Sequence, residues 1–198
     1  MTAVHGRALR VDAVRNHERI TVAASEVFEE LGSEASLEEV ARRAGVGVAT
    51  LYRRFGNRDT LVAAVLEHVM TSEIEPALSA DTGDPWRDLV DALAASIDVL
   101  AAHRVLIRLA READAIKVDV VDRYLRSMDQ LLCRARDAGL VRPELLARDL
   151  AAVVVMCVSV IHPQDPSGAD RRRYLALLVD GMRPSGTLLP EPATEPEV

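Results

Sequence analysis

The stretch from Ser36 to Arg58 constrains this 198-residue chain most tightly. It reads as two short helical patterns joined by Gly45-Val46-Gly47. Leu37, Val40, Ala41 and Ala44 mark one apolar face, and Val48, Leu51 and Phe55 mark the next. Ser36-Leu37-Glu38-Glu39 is a capping-box sequence, in which the serine caps the helix start and the glutamate three residues on reaches back. Gly45 stops that helix, Gly56 stops its successor, and Asn57 is a good cap for a fourth helix over about Arg58–Met70. Before them, Ile20, Ala23, Ala24, Val27, Phe28 and Leu31 line one face of a helix from Arg15 that Gly32 closes. A helix followed by two short helices around a tight turn is the arrangement of a helix-turn-helix DNA reader.

Charge points the same way. The chain carries a net charge of −7, which argues against nucleic-acid binding by its whole surface. Yet Val40 to Arg58 holds Arg42, Arg43, Arg53, Arg54 and Arg58 and no acidic residue. With Val48, Leu51 and Phe55 packed inward, the outward residues are Ala49, Thr50, Tyr52, Arg53 and Arg54. A hydroxyl, a phenol and two guanidinium groups on one short helix suit phosphate and base-edge contact. Arg58, with the amides at the fourth helix start, and Ser36, with the amides around it, are candidate phosphate holders. A purely structural three-helix bundle would show the same periodicity; the local arginine cluster separates the two readings.

The remainder is also helical. Asp84-Pro85 is a cap followed by a first-turn proline, and Trp86, Leu89, Val90, Leu93, Ala94, Ile97 and Leu100 keep helical spacing after it. Further helices are expected over His103–Ala113, from Ile116 to about Gly139, from Leu146 to Ile161 ahead of Pro163, and over Ala169–Met182. The first dozen residues lack a period and read as a mobile basic arm. The proline- and glutamate-rich end reads as disordered. The expectation is therefore all-α, about nine helices. A three-helix helix-turn-helix DNA-binding domain spans 1–75, a helical effector-binding and dimerisation domain spans 76–183, and the tail spans 184–198. The apolar Leu146–Ile161 helix would leave an exposed patch in a monomer, which two-fold pairing would cover.

The segment Ile20–Val65 resembles the TetR family of bacterial regulators. The likeness rests on Ser36-Leu37-Glu38-Glu39-Val40-Ala41-Arg42-Arg43-Ala44-Gly45-Val46-Gly47-Val48-Ala49-Thr50-Leu51-Tyr52-Arg53-Arg54-Phe55-Gly56-Asn57-Arg58. The resemblance implies phosphate contacts from Thr50, Tyr52 and Arg58 and base reading from Val48, Ala49 and Arg53. It also implies a homodimer through the last two helices, a palindromic operator in double-stranded DNA, and release by a small-molecule effector. The family commonly has Ser-Lys-Gly where this chain has Gly47-Val48-Ala49, so base reading here leans on thymine methyl contact and Arg53. Asp84-Pro85-Trp86, Gly139-Leu140-Val141-Arg142-Pro143 and Arg171-Arg172-Arg173-Tyr174 resemble the SbtR-like branch.

Enzymatic signatures are missing from the sequence: no phosphate-cradling glycine loop, no metal-spaced His or Cys cluster and no nucleophile elbow. No catalytic residue, cofactor or metal is expected. No apolar run reaches the roughly 18–20 residues of a membrane span; with no signal-peptide pattern and two cysteines of unrelated spacing, a cytoplasmic protein is expected. The competing reading is an all-α sensor or carrier whose DNA binding has degenerated, kept open by Val48. His103, Arg104, Arg108 and Arg111 share a face, but Glu112 lies one turn beyond Arg108, so they read as a solvated surface. Trp86, Tyr124, Met128, Met156, Cys157 and His162 read as packing residues.

Overall fold

The computed structural model describes residues 2–160 and 167–193, with side chains from Arg15 onward. The described residues form helices and no strand. α1 (Thr2–Leu31) runs into a tight turn at Gly32–Glu34, followed by α2 (Leu37–Ala44) and α3 (Val48–Phe55). α4 (Arg58–Val69) continues through a wider turn at Met70–Ile74 into a short piece, Glu75–Leu78. Then come α5 (Pro85–Ala102), α6 (Arg104–Glu112), α7 (Val118–Asp137), α8 (Ala147–Ser159) and α9 (Ala169–Asp180). Residues 2–12, in the stretch expected as a mobile arm, belong to α1. Ala, Val, Arg and Leu dominate there and no proline interrupts them, so intrinsic propensity extends the helix without an apolar stripe.

The chain divides into two compact bodies. The first comprises residues up to 77 together with 95–124. Its core gathers Ile20, Ala24, Val27 and Phe28 of α1, Val40 and Ala41 of α2, Leu51 and Phe55 of α3, Leu61, Val62 and Val65 of α4, and Leu106 and Leu109 of α6. α6 therefore packs on the same centre as the three N-terminal helices. Its first amides, on Val105 and Leu106, donate to the two carboxylate oxygens of Glu29 at 3.3 and 2.9 Å, an acid at a helix N-terminus where the dipole favours it. His103, ahead of them, bridges Ser25 Oγ at 3.3 Å and the Glu73 carboxylate at 3.1 Å. Of the four residues on the expected solvated face, then, His103 is a half-buried bridge, whereas Arg108 pairs with Glu112 at 3.6 Å on the surface.

The second body comprises residues 78–94 together with 125 onward. Leu89 and Leu93 of α5 join Met128, Leu131, Leu132 and Ala135 of α7, Leu150, Val154 and Cys157 of α8, and Leu175 and Val179 of α9 in its buried interior. Asp84 caps α5 by accepting from the Arg87 amide at 3.0 Å. Buried Asp88 accepts from the Thr82 hydroxyl at 2.6 Å and faces Arg134 at 3.5 Å; these contacts hold its carboxyl below the ordinary range, the Thr82 hydroxyl first. Arg183 lies over the Trp86 ring at 3.5 Å, and Arg142 Nε donates to the Gly181 carbonyl at 2.7 Å. The residues after 183, expected as a disordered tail, are tied down as far as Ala193. The Leu189 amide donates to Glu144 at 3.1 Å and Arg148 donates to the Ala193 carbonyl at 3.1 Å. Composition could not show this, because the anchors lie 45 residues away. His162 and Pro163 lie outside the described residues.

Candidate nucleic-acid interface

The turn between α2 and α3 is built by local chemistry. Ser36 Oγ accepts the Glu39 amide at 3.1 Å, half of the expected capping box. The other half is replaced: the Glu39 carboxylate accepts from Arg42 Nε at 2.8 Å and lies 3.8 Å from Arg43. Gly45 ends α2 in the left-handed region, φ +64°, and a β-carbon there would also sit 3.3 Å from the Arg19 guanidinium, which donates to the Ala44 carbonyl at 2.6 Å. Asn57 opens α4 by accepting the Thr60 amide at 2.8 Å.

α3 is rooted by Leu51 and Phe55, both buried in the first body. Val48, expected to pack with them, is 37% exposed and leaves the rooting to those two residues. It is the first residue of α3, where the side chain leans back toward the helix N-terminus and away from the core beneath the later turns. Val48, Ala49, Tyr52, Arg53 and Arg54 consequently share an exposed surface, with Thr50 half-buried beside them.

The basic residues of the stretch fall into two groups. Arg43 is drawn into a carboxylate cluster with Glu30 at 2.7 Å, Glu26 at 3.6 Å and Glu39 at 3.8 Å, and so fastens α2 to α1. Hydrogen bonding to Arg43 holds the Glu30 carboxyl below its usual range, and bonding to Arg42 does the same for Glu39. Arg58 folds inward: its guanidinium donates to the Gly32 carbonyl at 2.9 Å and the Ala35 carbonyl at 3.3 Å, and stacks 5.5 Å over the Phe28 ring. Arg54 Nε donates to His17 Nδ1 at 3.3 Å, and the Tyr52 hydroxyl reaches Glu38 at 3.4 Å. Arg53 is exposed and has no hydrogen-bond or ion-pair partner among the described residues. α3 thus offers one unpartnered guanidinium, one lightly held guanidinium, a phenol and small residues.

Two family models match the chain. Residues 20–65 match bacterial regulatory proteins of the tetR family, and residues 84–184 match the C-terminal domain of SbtR-like transcriptional regulators. The chain belongs to the TetR family of transcriptional regulators. Among curated proteins, this TetR-family chain is 30% identical to the uncharacterized HTH-type transcriptional regulator YvkB of Bacillus subtilis, over 59% of this chain and 63% of that one. Among solved structures it is similar to the TetR regulator SCO0520 of Streptomyces coelicolor, at 29% identity and TM-score 0.64, covering 86% of this chain and 99% of that one. It is also similar to a TetR regulatory protein of Mycobacterium vanbaalenii, at 26% identity and TM-score 0.66, covering 88% and 99%. Regulators of this family are DNA-binding proteins rather than enzymes, and usually act as dimers with small-molecule effectors. No helix among the described residues is long and apolar enough to cross a membrane.

Several groups that shape this TetR-family interface were not legible in the chain. His17, Arg19 and Glu29 all lie on α1 between its apolar positions, and each is defined by a partner 25 to 77 residues away. No local spacing carries such a signal. One departure from the common TetR pattern is directly testable. Gly47, the α3 cap, has φ −68° and ψ 138°, a conformation open to any residue, and a β-carbon there meets Thr50 Oγ1 at an unstrained 3.8 Å. Gly47→Ser should stabilise the chain by about 0.5–1 kcal/mol, through a capping oxygen and a less flexible unfolded chain. The check is a higher denaturant midpoint at unchanged slope; no rise would show that water already serves the first α3 amides equally well.

Proposed function

We propose that this chain is a cytoplasmic, dimeric repressor that places α3 in the DNA major groove, one copy per half of a palindromic operator, and lets go when a small molecule binds. The observation that carries this reading is the division of labour on α3: Leu51 and Phe55 anchor it, while Val48, Ala49, Thr50, Tyr52, Arg53 and Arg54 stay on its accessible side. In this reading Arg53 and the small Val48 and Ala49 meet base edges, Thr50 and Tyr52 meet phosphates, and Arg54, held by His17, sets how α3 sits in the groove. Ser36, Gly47 and the amides near them add backbone contacts. Arg42, with a 70% exposed side chain, offers donors at the rim of the site, while Arg43, neutralised by its carboxylates, fixes the angle between α1 and α2. Arg58 acts from behind, holding the turn after α1 in place.

An effector can dissociate the complex only by favouring a geometry in which the two α3 helices no longer match the grooves. α4 leaves the DNA-contacting helices directly, and α6 is bound to α1 through Glu29 and to the α4 continuation through His103 and Glu73. A displacement of α6 therefore pulls on α1 as well as on α4.

The decisive experiment is selection of bound duplexes from a random pool, followed by affinity measurement at two salt concentrations. A palindromic site bound far above random DNA, with affinity falling as salt rises, is the expected result. Recovery of no site by a folded protein would overturn the reading in favour of a sensor or carrier. With the site in hand, Arg53→Ala should weaken it by about 1–3 kcal/mol while leaving random DNA much less affected. Equal losses on both would place Arg53 on the backbone instead.

A further inference from the structure

His17 of α1 is seated against the C-terminal end of the recognition helix. Its ring stacks on Phe55 with centroids 5.6 Å apart and planes inclined by 23°, and its Nδ1 accepts the hydrogen bond from Arg54 Nε at 3.3 Å. One imidazole therefore touches both the buried residue that roots α3 and the exposed arginine beside it. Nδ1 can accept only while the ring is neutral with its proton on Nε2. Protonation removes the acceptor and sets an imidazolium against a guanidinium, so Arg54 has to leave the position it holds.

We propose that His17 is a positioning residue for the recognition helix: stacked on Phe55, it fixes Arg54 while neutral and releases it when protonated, so that discrimination between operator and random DNA falls as pH drops from neutrality toward about pH 5. The inference rests on the reading of α3 as the DNA-contacting helix.

The charged surroundings favour the neutral ring. Burial lowers the His17 pKa from its ordinary value, and Arg54 from α3 and His68 from α4 lower it further; Glu18 on α1 opposes them. The cleft beside the ring is also lined by Asp59 and Glu67 of α4 and by Asp114 and Lys117. Glu67 is held by Arg123 at 2.6 Å, and Asp59, Asp114 and Lys117 are exposed to solvent. With the native pKa below that of the unfolded chain, the folded state binds fewer protons, so the contact is complete above about pH 6.5 and is lost as pH falls through the lowered value. Global acid unfolding lies elsewhere. Glu30, Glu39 and Asp88 are held below the ordinary carboxylate range by Arg43, Arg42 and Thr82, and stay ionised across this window.

The test uses the whole 198-residue chain with the duplex recovered by selection and a random duplex, at about pH 7.5 and about pH 5.5 and constant ionic strength. The ratio of the two affinities should fall about tenfold in the unaltered protein, the worth of one hydrogen bond to a charged group. Taking the ratio cancels the general gain in DNA affinity that added positive charge brings. His17→Phe keeps an aromatic ring on Phe55 but neither accepts nor titrates, and should hold the low ratio at both pH values. His68→Gln should keep the fall in ratio but move its midpoint upward, because it removes one of the positive charges that lower the His17 pKa. A ratio independent of pH in the unaltered protein, or an unchanged pH dependence in His17→Phe, overturns the proposal. A second measurement needs no duplex: in an NMR titration, the Arg54 Nε–H signal should move with the His17 midpoint, below about pH 6.5. Independent titration of the two overturns the contact, whereas coupled titration without any recovered duplex would fault the DNA reading alone.

Discussion

Leu177→Arg should yield a monomer and lower operator affinity by about 10²–10⁴-fold, because two half-sites then have to be bound independently. Leu177 is 64% exposed on α9 and borders an apolar cavity of about 220 Å³ with Met156, Cys157 and Val160 of the α8 segment and Tyr174 and Leu178 of α9. Val155, Met156 and Val160 are also half exposed, so α8 and α9 present a joined apolar surface that the described residues leave uncovered. A two-fold axis through such a patch sets Leu177 near its own copy. An arginine there places two like charges in a drying interface, with no carboxylate among the cavity-lining residues to pair with them. Light scattering at micromolar concentration and binding to whole and half operators are the readouts. Helix content should be retained, since the substituted side chain is exposed in the protomer. A persistent dimer, or a monomer that binds the whole operator undiminished, would remove these helices from the proposed interface.

Leu51→Ala should cost about 2–5 kcal/mol of stability and abolish operator discrimination below the melting temperature. Leu51 is fully buried and, with Phe55, is one of the two buried residues of α3. Truncation leaves a cavity beneath an eight-residue helix that is too short to persist without tertiary contacts. Loss of the anchor thus reaches function through orientation: the outward groups remain but no longer meet the groove together. Denaturant unfolding gives the stability term, and operator-to-random affinity ratios taken well below the melting temperature give the functional one. Stability loss with an unchanged ratio would mean that Phe55 alone fixes α3.

The helices that carry the site were legible because their signals are local. Ser36, Gly45, Asn57 and Asp84 act on amides or dihedrals within three residues of themselves, so capping survives whatever the rest of the chain does. The apolar faces of α1 and α2 were legible for a related reason, since helical period alone brings their buried residues to one side. Val48 shows where that logic ends: spacing put it on the packed face, but the helix starts there and nothing buried lies behind the first residue. The opening dozen residues show it again, because helix propensity needs no apolar stripe and leaves no periodic mark.

The sequence by itself determined where α2 and α3 begin and stop and where α4 begins, that five arginines crowd one acid-free stretch, and that a tight turn joins α2 to α3. Only the tertiary structure decided what each arginine does. Arg43 is claimed by Glu26 and Glu30, Arg58 by the carbonyls of Gly32 and Ala35, and Arg54 by His17, while Arg53 meets no partner among the described residues. A guanidinium is charged wherever it stands, but its availability depends on which acceptors the packing of distant segments brings within about 3 Å, and residue spacing alone does not encode that proximity.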